Sequence, residues 1–389
     1  MSIPHADLVI IGTGMAGVGL ARALRREGDT RRLTLISADS GDDYSKPLLS
    51  TGFAKQLAPD KLAQRDASAL AEALNATLLP HTPVTAIDPE ARQLTLDDGS
   101  AYAYTQLVLA TGAAPRAPFA IPSECEAHCF SVNDLDDYRR FHRALGQGPA
   151  RVAIVGAGLV GCEFANDLHA GGHHVSLIAP ESAPLPRLLP EPLGRALGDA
   201  FADAGMQLAL GRTLERIASG ASLNVALTLD NHETIEADLV LLSTGLAPRT
   251  ALAATAGLEV SASGITVDRT LQTSHPGIFA LGDAACVAGV NAMYVQPLQA
   301  SANALSKTLA GTPTPVHFGA WPVIVKTPLL PVVAYPPLVT PERWRIEADG
   351  ANMTALAEDI DGRLIGFALT GGCVRRKVEL SRAAPALLG

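Results

Sequence analysis

The chain has 389 residues, an apolar fraction of 48% and a formal net charge of -9. At about 150 residues per domain, that length predicts two or three domains. The low charged fraction, 18%, combined with this apolar content excludes a disordered chain; the acidic balance excludes non-specific nucleic-acid binding, which needs clustered Lys and Arg against phosphates.

The opening MSIPHADLVIIG lacks a charged n-region and a cleavage site, so no secretory leader is expected. Asp7–Ile11 is a short apolar run and predicts a buried strand. It enters Gly12-Thr13-Gly14-Met15-Ala16-Gly17. Val18–Arg26 then reads as a helix and Arg32–Ser37 as a second strand. This is a βαβ unit with Gly-x-Gly-x-x-Gly at its first turn. The first two glycines permit a tight turn and close approach to a pyrophosphate, and the third lets helix and strand pack closely. The helix N-terminus supplies free N–H groups and a positive dipole end. Gly12, Gly14, Met15, Ala16 and Gly17 are therefore candidate phosphate contacts. Asp39 ends the second strand. It is either the acceptor for ribose hydroxyls or one of several solvated carboxylates in 39–43.

The pattern recurs. Arg151–Val155 predicts a strand, Gly156-Ala-Gly158-Leu-Val-Gly161 the turn, Cys162–Ala170 a helix and His174–Ile178 the next strand. A single glycine turn is a weak signal. Two copies, each between a strand and a helix, predict two bound dinucleotides, and hence electron transfer between flavin and nicotinamide. The second copy ends at Pro180-Glu181, with no arginine before Arg187. A carboxylate there suits a ribose, whereas a 2′-phosphate calls for arginine, so NADH is favoured over NADPH.

Three further apolar strands run into small-residue loops. Leu107–Ala110 leads into Thr111-Gly112, Leu239–Leu242 into Ser243-Thr244-Gly245, and Gly277–Ala280 into Leu281-Gly282-Asp283. Tyr294–Leu309 reads as a helix with Pro297 in its first turn. Leu329–Val339 is apolar but carries three prolines and is too short to span a bilayer.

Five scattered cysteines do not make a disulfide framework and point to a reducing, cytoplasmic setting. Cys125 and Cys129 lack further ligands, so no metal is expected. His173 and His174 open a strand and read as structural or exposed.

The order of ATG, second glycine turn, STG and LGDA junctions resembles the pyridine-nucleotide-disulfide oxidoreductase superfamily, over residues 7 to about 310. Within it, Tyr44-Ser-Lys-Pro-Leu-Leu-Ser-Thr-Gly-Phe53, Gly161-Cys-Glu-Phe-Ala-Asn-Asp167, Tyr294-Val-Gln-Pro-Leu298 and Val325-Lys-Thr-Pro328 resemble the bacterial rubredoxin–NAD reductases. The resemblance implies an α/β fold with two Rossmann-like, three-layer nucleotide-binding domains and a small C-terminal α/β cap. Residues 1–113 and 246–315 would form the FAD domain, 114–245 an inserted NAD domain, and 316–389 the cap.

It also implies roles. Ala38 would line the adenine site beside Asp39, and Val84 would contact adenine. Asp283 would accept from a ribityl hydroxyl, cap a helix, or both. Val295, at the start of its helix, would contact the flavin pyrimidine edge, where a positive dipole end favours developing negative charge. Lys46 would lie near flavin N5 and pair with Glu163, unless the two are an ordinary surface lysine and helix glutamate. Lys326 would reach the flavin from the cap.

Superfamily members that relay electrons through thiols carry cysteines after the first βαβ unit or a C-x-x-C in the nicotinamide domain. Neither occurs here. Electrons are therefore expected to leave the flavin singly for an external carrier, which the resemblance names as rubredoxin, a small acidic iron protein that in such pathways feeds an alkane hydroxylase. With an acidic enzyme, docking then needs a local basic patch, and Arg375-Arg376-Lys377 and Lys326 are candidates. The rival readings are a ferredoxin reductase of an oxygenase system and a non-turnover FAD/NADH sensor. The resemblance implies a monomer.

Overall fold

A computed structural model describes residues 3–389; Met1 and Ser2, where the leader expectation begins, lie outside the described residues. The first glycine turn sits where a parallel sheet reverses its strand order. The parallel part of this seven-stranded sheet runs Thr77–Leu79, Leu33–Ile36, His5–Ile11, Ala101–Leu109, and Gln93–Leu96 and Val84–Asp88 extend it antiparallel beyond Ala101–Leu109. Chain order moves outward on one side of His5–Ile11 and then jumps to its other side, so a crevice opens at the carboxyl ends of the two central strands. Ile278–Ala280 returns from far along the chain to pair with Leu107–Leu109. These strands are near-continuous apolar runs because both faces of the sheet are covered; Val9, Ile10, Leu35, Leu107 and Val108 are fully buried.

A second parallel sheet runs Cys129–Phe130, Leu239–Leu242, Arg151–Val155, His174–Ala179, Gln207–Leu210. An antiparallel trio, Leu214–Ser219, Val225–Leu229 and Thr234–Ala237, packs beside it. The chain enters and leaves this region through one two-stranded antiparallel ribbon, Ala113–Pro115 against Leu246–Pro248.

The C-terminal region is a five-stranded antiparallel sheet, ordered Val323–Val325, Val332–Tyr335, Leu364–Thr370, Asn352–Glu358, Arg343–Asp349. The Leu329–Val339 run supplies one strand of it. One face of this sheet, with Val325, Val332, Ala334, Ala355 and Ala368, shares a core with the second parallel sheet's helices. The helix Lys377–Ala383 covers the opposite face. Among the described residues, no helix is long and apolar enough to cross a membrane.

Both predicted glycine-turn helices begin earlier than their sequence reading, at Met15 and Leu159. Glycine lowers helix propensity but does not stop a first turn whose N–H groups need no intrahelical partner.

Candidate functional site

The two glycine turns have one design. Gly12 (φ +113°) and Gly156 (φ +110°) lie in the left-handed region, and a Cβ on them would sit 2.3 Å from the Ala110 carbonyl oxygen and 2.4 Å from the Ser243 carbonyl oxygen. A Cβ on Gly17 or Gly161 would come within 1.9 Å of the carbonyl oxygen of Gly12 or Gly156 respectively. The middle glycines differ: a Cβ on Gly14 or Gly158 meets nothing within 4 Å. Four glycines are thus demanded by the chain's own packing. The middle one of each turn faces open space at a helix N-terminus, which is where a pyrophosphate needs bare backbone. The residues fit two dinucleotides.

Around the first turn, Thr13 donates to Asp39 Oδ1 at 3.3 Å, and Gly41 N donates to the same oxygen at 3.0 Å. Asp39 is therefore anchored against the glycine turn and is not simply a solvated loop carboxylate. His81 N donates to the Asp39 carbonyl at 2.8 Å and Thr82 N to Ser37 at 2.7 Å, which brings the loop before Val84 to the same sheet edge. Ala38 is exposed. Thr111 and Arg249 exchange hydrogen bonds at the ribbon. Gly112 (φ +68°) and Gly282 (φ +75°) turn the chain at the crevice, and a Cβ on Gly282 would lie 2.7 Å from Ala16 Cβ. The helix Val295–Leu309 begins one residue later than its sequence reading, with Tyr294 as its extended N-cap residue. In the second unit, Gly245 (φ +103°) turns the chain after Leu239–Leu242, and Glu181 is exposed just beyond His174–Ala179.

The expected Lys46–Glu163 pair does not form. Glu163 is 5% exposed and pairs with Lys326 instead; it also accepts from the Lys326 backbone N at 3.1 Å and from Ser50 Oγ at 2.7 Å. The reason lies in the Lys46–Thr51 turn, which starts at Lys46-Pro47. It presents Ser50, not Lys46, to Glu163. The Lys46 Nζ donates to Asn133 Oδ1 at 2.7 Å. Burial pushes the Lys46 ammonium below its usual range while the Asp283 charge pulls it back up. Burial raises the Asp283 carboxyl, and Lys46 opposes that. Lys46 and Asp283 are thus unlike charges that stabilise each other against burial.

Two buried polar side chains that tie the site's segments together escaped the sequence reading. Asn166 and Asp167 lie one turn beyond Glu163, 4% and 3% exposed. Asp167 accepts from Phe53 N at 3.1 Å and Ala54 N at 2.9 Å, and Asn166 Oδ1 accepts from Leu329 N at 3.2 Å. The signal was present: three polar residues within five positions of an otherwise apolar helix. A buried polar group persists only with partners.

Phe53 also seats between His142, stacked at 5.6 Å, and His173, edge-on at 6.0 Å. Burial holds both imidazoles below 6.5, and His142 and His174 depress His173 further. Each therefore binds a proton less readily folded than unfolded. Their contribution is present above pH 6.5 and is lost as pH falls through 6.5 towards the lowered folded values. The urea midpoint is expected to fall between about pH 7.5 and about pH 5.5, and His142→Gln/His173→Gln to flatten that fall. An unchanged pH slope in the double variant would assign the acid sensitivity elsewhere.

All five cysteines are free thiols, and burial pushes the Cys129 thiol up to about 11. Among the described residues, no group of His, Cys, Asp or Glu is arranged to hold a metal ion.

Residues 6–306 match the family described as pyridine nucleotide-disulphide oxidoreductase, and residues 315–384 match the rubredoxin binding C-terminal domain. The chain is 41% identical to a rubredoxin-NAD(+) reductase of Alcanivorax borkumensis, over 98% of this chain and 99% of that protein. It is 38% identical to a nitric oxide reductase FlRd-NAD(+) reductase of Aeromonas hydrophila, over 97% and 96%. The fold superimposes on a covalent putidaredoxin reductase–putidaredoxin complex with a TM-score of 0.87 at 26% identity, covering 98% of this chain and 94% of that one.

Proposed function

The chain belongs to the pyridine nucleotide-disulphide oxidoreductase family, and from that membership we propose an NADH-dependent, FAD-containing reductase that passes electrons to rubredoxin. Its cofactors are FAD and NAD(H). Bound flavin supplies the conversion between a hydride taken from the nicotinamide and electrons given up one at a time. We assign residues 1–113 and 246–315 to the flavin unit, 114–245 to the nicotinamide unit and 316–389 to a cap. Gly12–Gly17, Ala38, Asp39, Val84, Thr111, Gly112, Gly282, Asp283 and Val295 would hold FAD. Gly156, Gly158, Gly161, Glu181 and Gly245 would hold NADH. Lys46, with its desolvated charge, would favour the electron-rich reduced flavin.

The observation that carries the acceptor is the rubredoxin-binding C-terminal match, joined to a crevice whose bordering segment Lys46–Thr51 holds no thiol. We place the protein in the cytoplasm as a monomer, upstream of an alkane hydroxylase or similar oxygen-dependent system.

Anaerobic steady-state reduction of rubredoxin and of a ferredoxin, each with NADH and NADPH, tests this reading. The expected result is fastest turnover with NADH and rubredoxin. Preference for ferredoxin would support the rival reductase, and turnover with neither carrier would support the sensor.

We assign docking to Arg375, the exposed member of Arg375-Arg376-Lys377. Lys326 is committed to Glu163, and Arg376 to Glu347 and Glu379. Among the described residues, Arg375 is bound only through its Nε to the Gly372 carbonyl. It also sits at the right end of the sheet: Gly371 N donates to Pro331 O at 2.9 Å, next to the Lys326–Leu330 loop. Arg375→Glu is expected to raise the KM for rubredoxin severalfold and leave NADH–dye turnover intact, because surface charge acts mainly on encounter. An unchanged KM would remove Arg375 from the docking surface.

A further inference from the structure

We propose that Asn133 is a positioning residue for Lys46: delivered by the nicotinamide side of the molecule, its amide holds the Lys46 ammonium in the crevice without neutralising it. The inference rests on the flavin reading above.

Asn133 is 5% exposed, and both ends of its side-chain amide are used. Its Oδ1 accepts from Lys46 Nζ at 2.7 Å, its Nδ2 donates to the Ala113 carbonyl at 3.0 Å, and its backbone N donates to Asp137 Oδ2 at 3.0 Å. The amide has one workable orientation. An ammonium can only donate and a carbonyl can only accept, so a flipped amide would set donor against donor and acceptor against acceptor.

The placement of Asn133 is set from behind. Asp134 caps the helix Leu135–Leu145 by accepting from Asp137 N at 2.8 Å, and the Asp137 carboxylate reaches back to Asn133 N. Tyr44 OH accepts from Leu135 N at 3.2 Å. Tyr44-Ser45-Lys46 is thus tied at two points to Asn133-Asp134-Leu135. A helix cap in one unit fixes where a lysine of the other can stand.

The partner's neutrality matters. A carboxylate here would cancel the lysine charge, whereas an amide orients it and leaves it whole. The charged groups that act on Lys46 are Asp283, Arg249, Asp134 and Asp137. Asp134 is occupied as the helix cap, and Asp137 by Arg140 and the Asn133 backbone. A lysine held this way acts on whatever electron-rich group enters the crevice.

The test is a double-variant cycle on the holoenzyme, read as the flavin midpoint potential. Asn133→Leu is expected to lower the reduced-to-oxidised flavin ratio at fixed potential about tenfold, or about 30 mV for a two-electron couple. Lys46→Met should shift it in the same direction, and Lys46→Met/Asn133→Leu should shift it no further than Lys46→Met alone. A wild-type potential in Asn133→Leu, or additive shifts in the double variant, would overturn the proposal. If Asn133→Leu does not fold, Asn133→Ala carries the same cycle. Acylation of Lys46 followed by mass spectrometry needs no flavin signal: it should be faster in either Asn133 variant, and an unchanged rate would also overturn the proposal. Wild-type protein purified without flavin would instead sink the functional reading, leaving the acylation rates to decide this one.

Discussion

Gly17→Ala is expected to give protein without flavin and with a markedly lower melting temperature, whereas Gly14→Ala keeps the fold and loses only affinity. The methyl at position 17 would lie 1.9 Å from the Gly12 carbonyl oxygen and 3.1 Å from Ile10 Cγ2. The first of these is backbone and cannot rotate away, so the helix and strand must part. Overpacking of this kind costs about 1–3 kcal/mol, and a backbone clash belongs at the upper end. At position 14 the methyl meets no chain atom within 4 Å, so only a ligand feels it. The same contrast should hold for Gly161→Ala and Gly158→Ala, read in NADH-dependent flavin reduction. Flavin-to-protein ratio and thermal midpoint, measured side by side, check the set. Wild-type flavin affinity in Gly14→Ala would show that no pyrophosphate approaches that turn.

Glu163→Ala carries the other large expectation. Its carboxylate is the common partner of the Lys326 ammonium, the Lys326 N–H and the Ser50 hydroxyl. Removing one side of a buried ion pair costs about 3–5 kcal/mol. The Lys326 side chain retains 30% of its exposure, so water recovers part of that, and the lower end or somewhat less is expected. Glu163→Gln, which keeps the shape and can still accept from Ser50, should lose about half as much. Turnover with rubredoxin should fall with stability, because the same contact ties the C-terminal sheet to the helix Leu159–Ala170. Denaturant unfolding of Glu163→Ala, Lys326→Met and the double variant checks the coupling. If the single losses simply add, the pair contributes nothing of its own.

The sheets were legible in the sequence because parallel strands are apolar runs and glycine turns interrupt them at fixed places. Arg151–Val155 is the strand the pattern predicts, residue for residue. The place of Asp39 at the end of the second strand was legible by spacing alone. The pairing of Lys46 was not, because it depends on which way a proline-started turn aims its side chains, and that is settled by Asn133, far along the chain. Lys326 meets Glu163 from the C-terminal sheet, whereas the sequence reading pairs that carboxylate with Lys46. Asn166 and Asp167 were visible as polar residues in an apolar helix. Only the fold shows what they bind, since their partners come from segments more than a hundred positions away on either side. Periodicity reports a residue's own element; it carries no information about which distant loop will lie across it.

The ribbon of Ala113–Pro115 and Leu246–Pro248 has a consequence for how such a molecule can arise. Neighbouring strands lie about 4.8 Å apart, so the whole intervening stretch departs from and returns to almost the same point. The returning strand Ile278–Ala280 then pairs with Leu107–Leu109, as it would if nothing stood between them. A copied gene segment spliced at that point would leave the strand order of its host untouched. The ancestral single unit need never have been unmade for its duplicate to take up residence inside it.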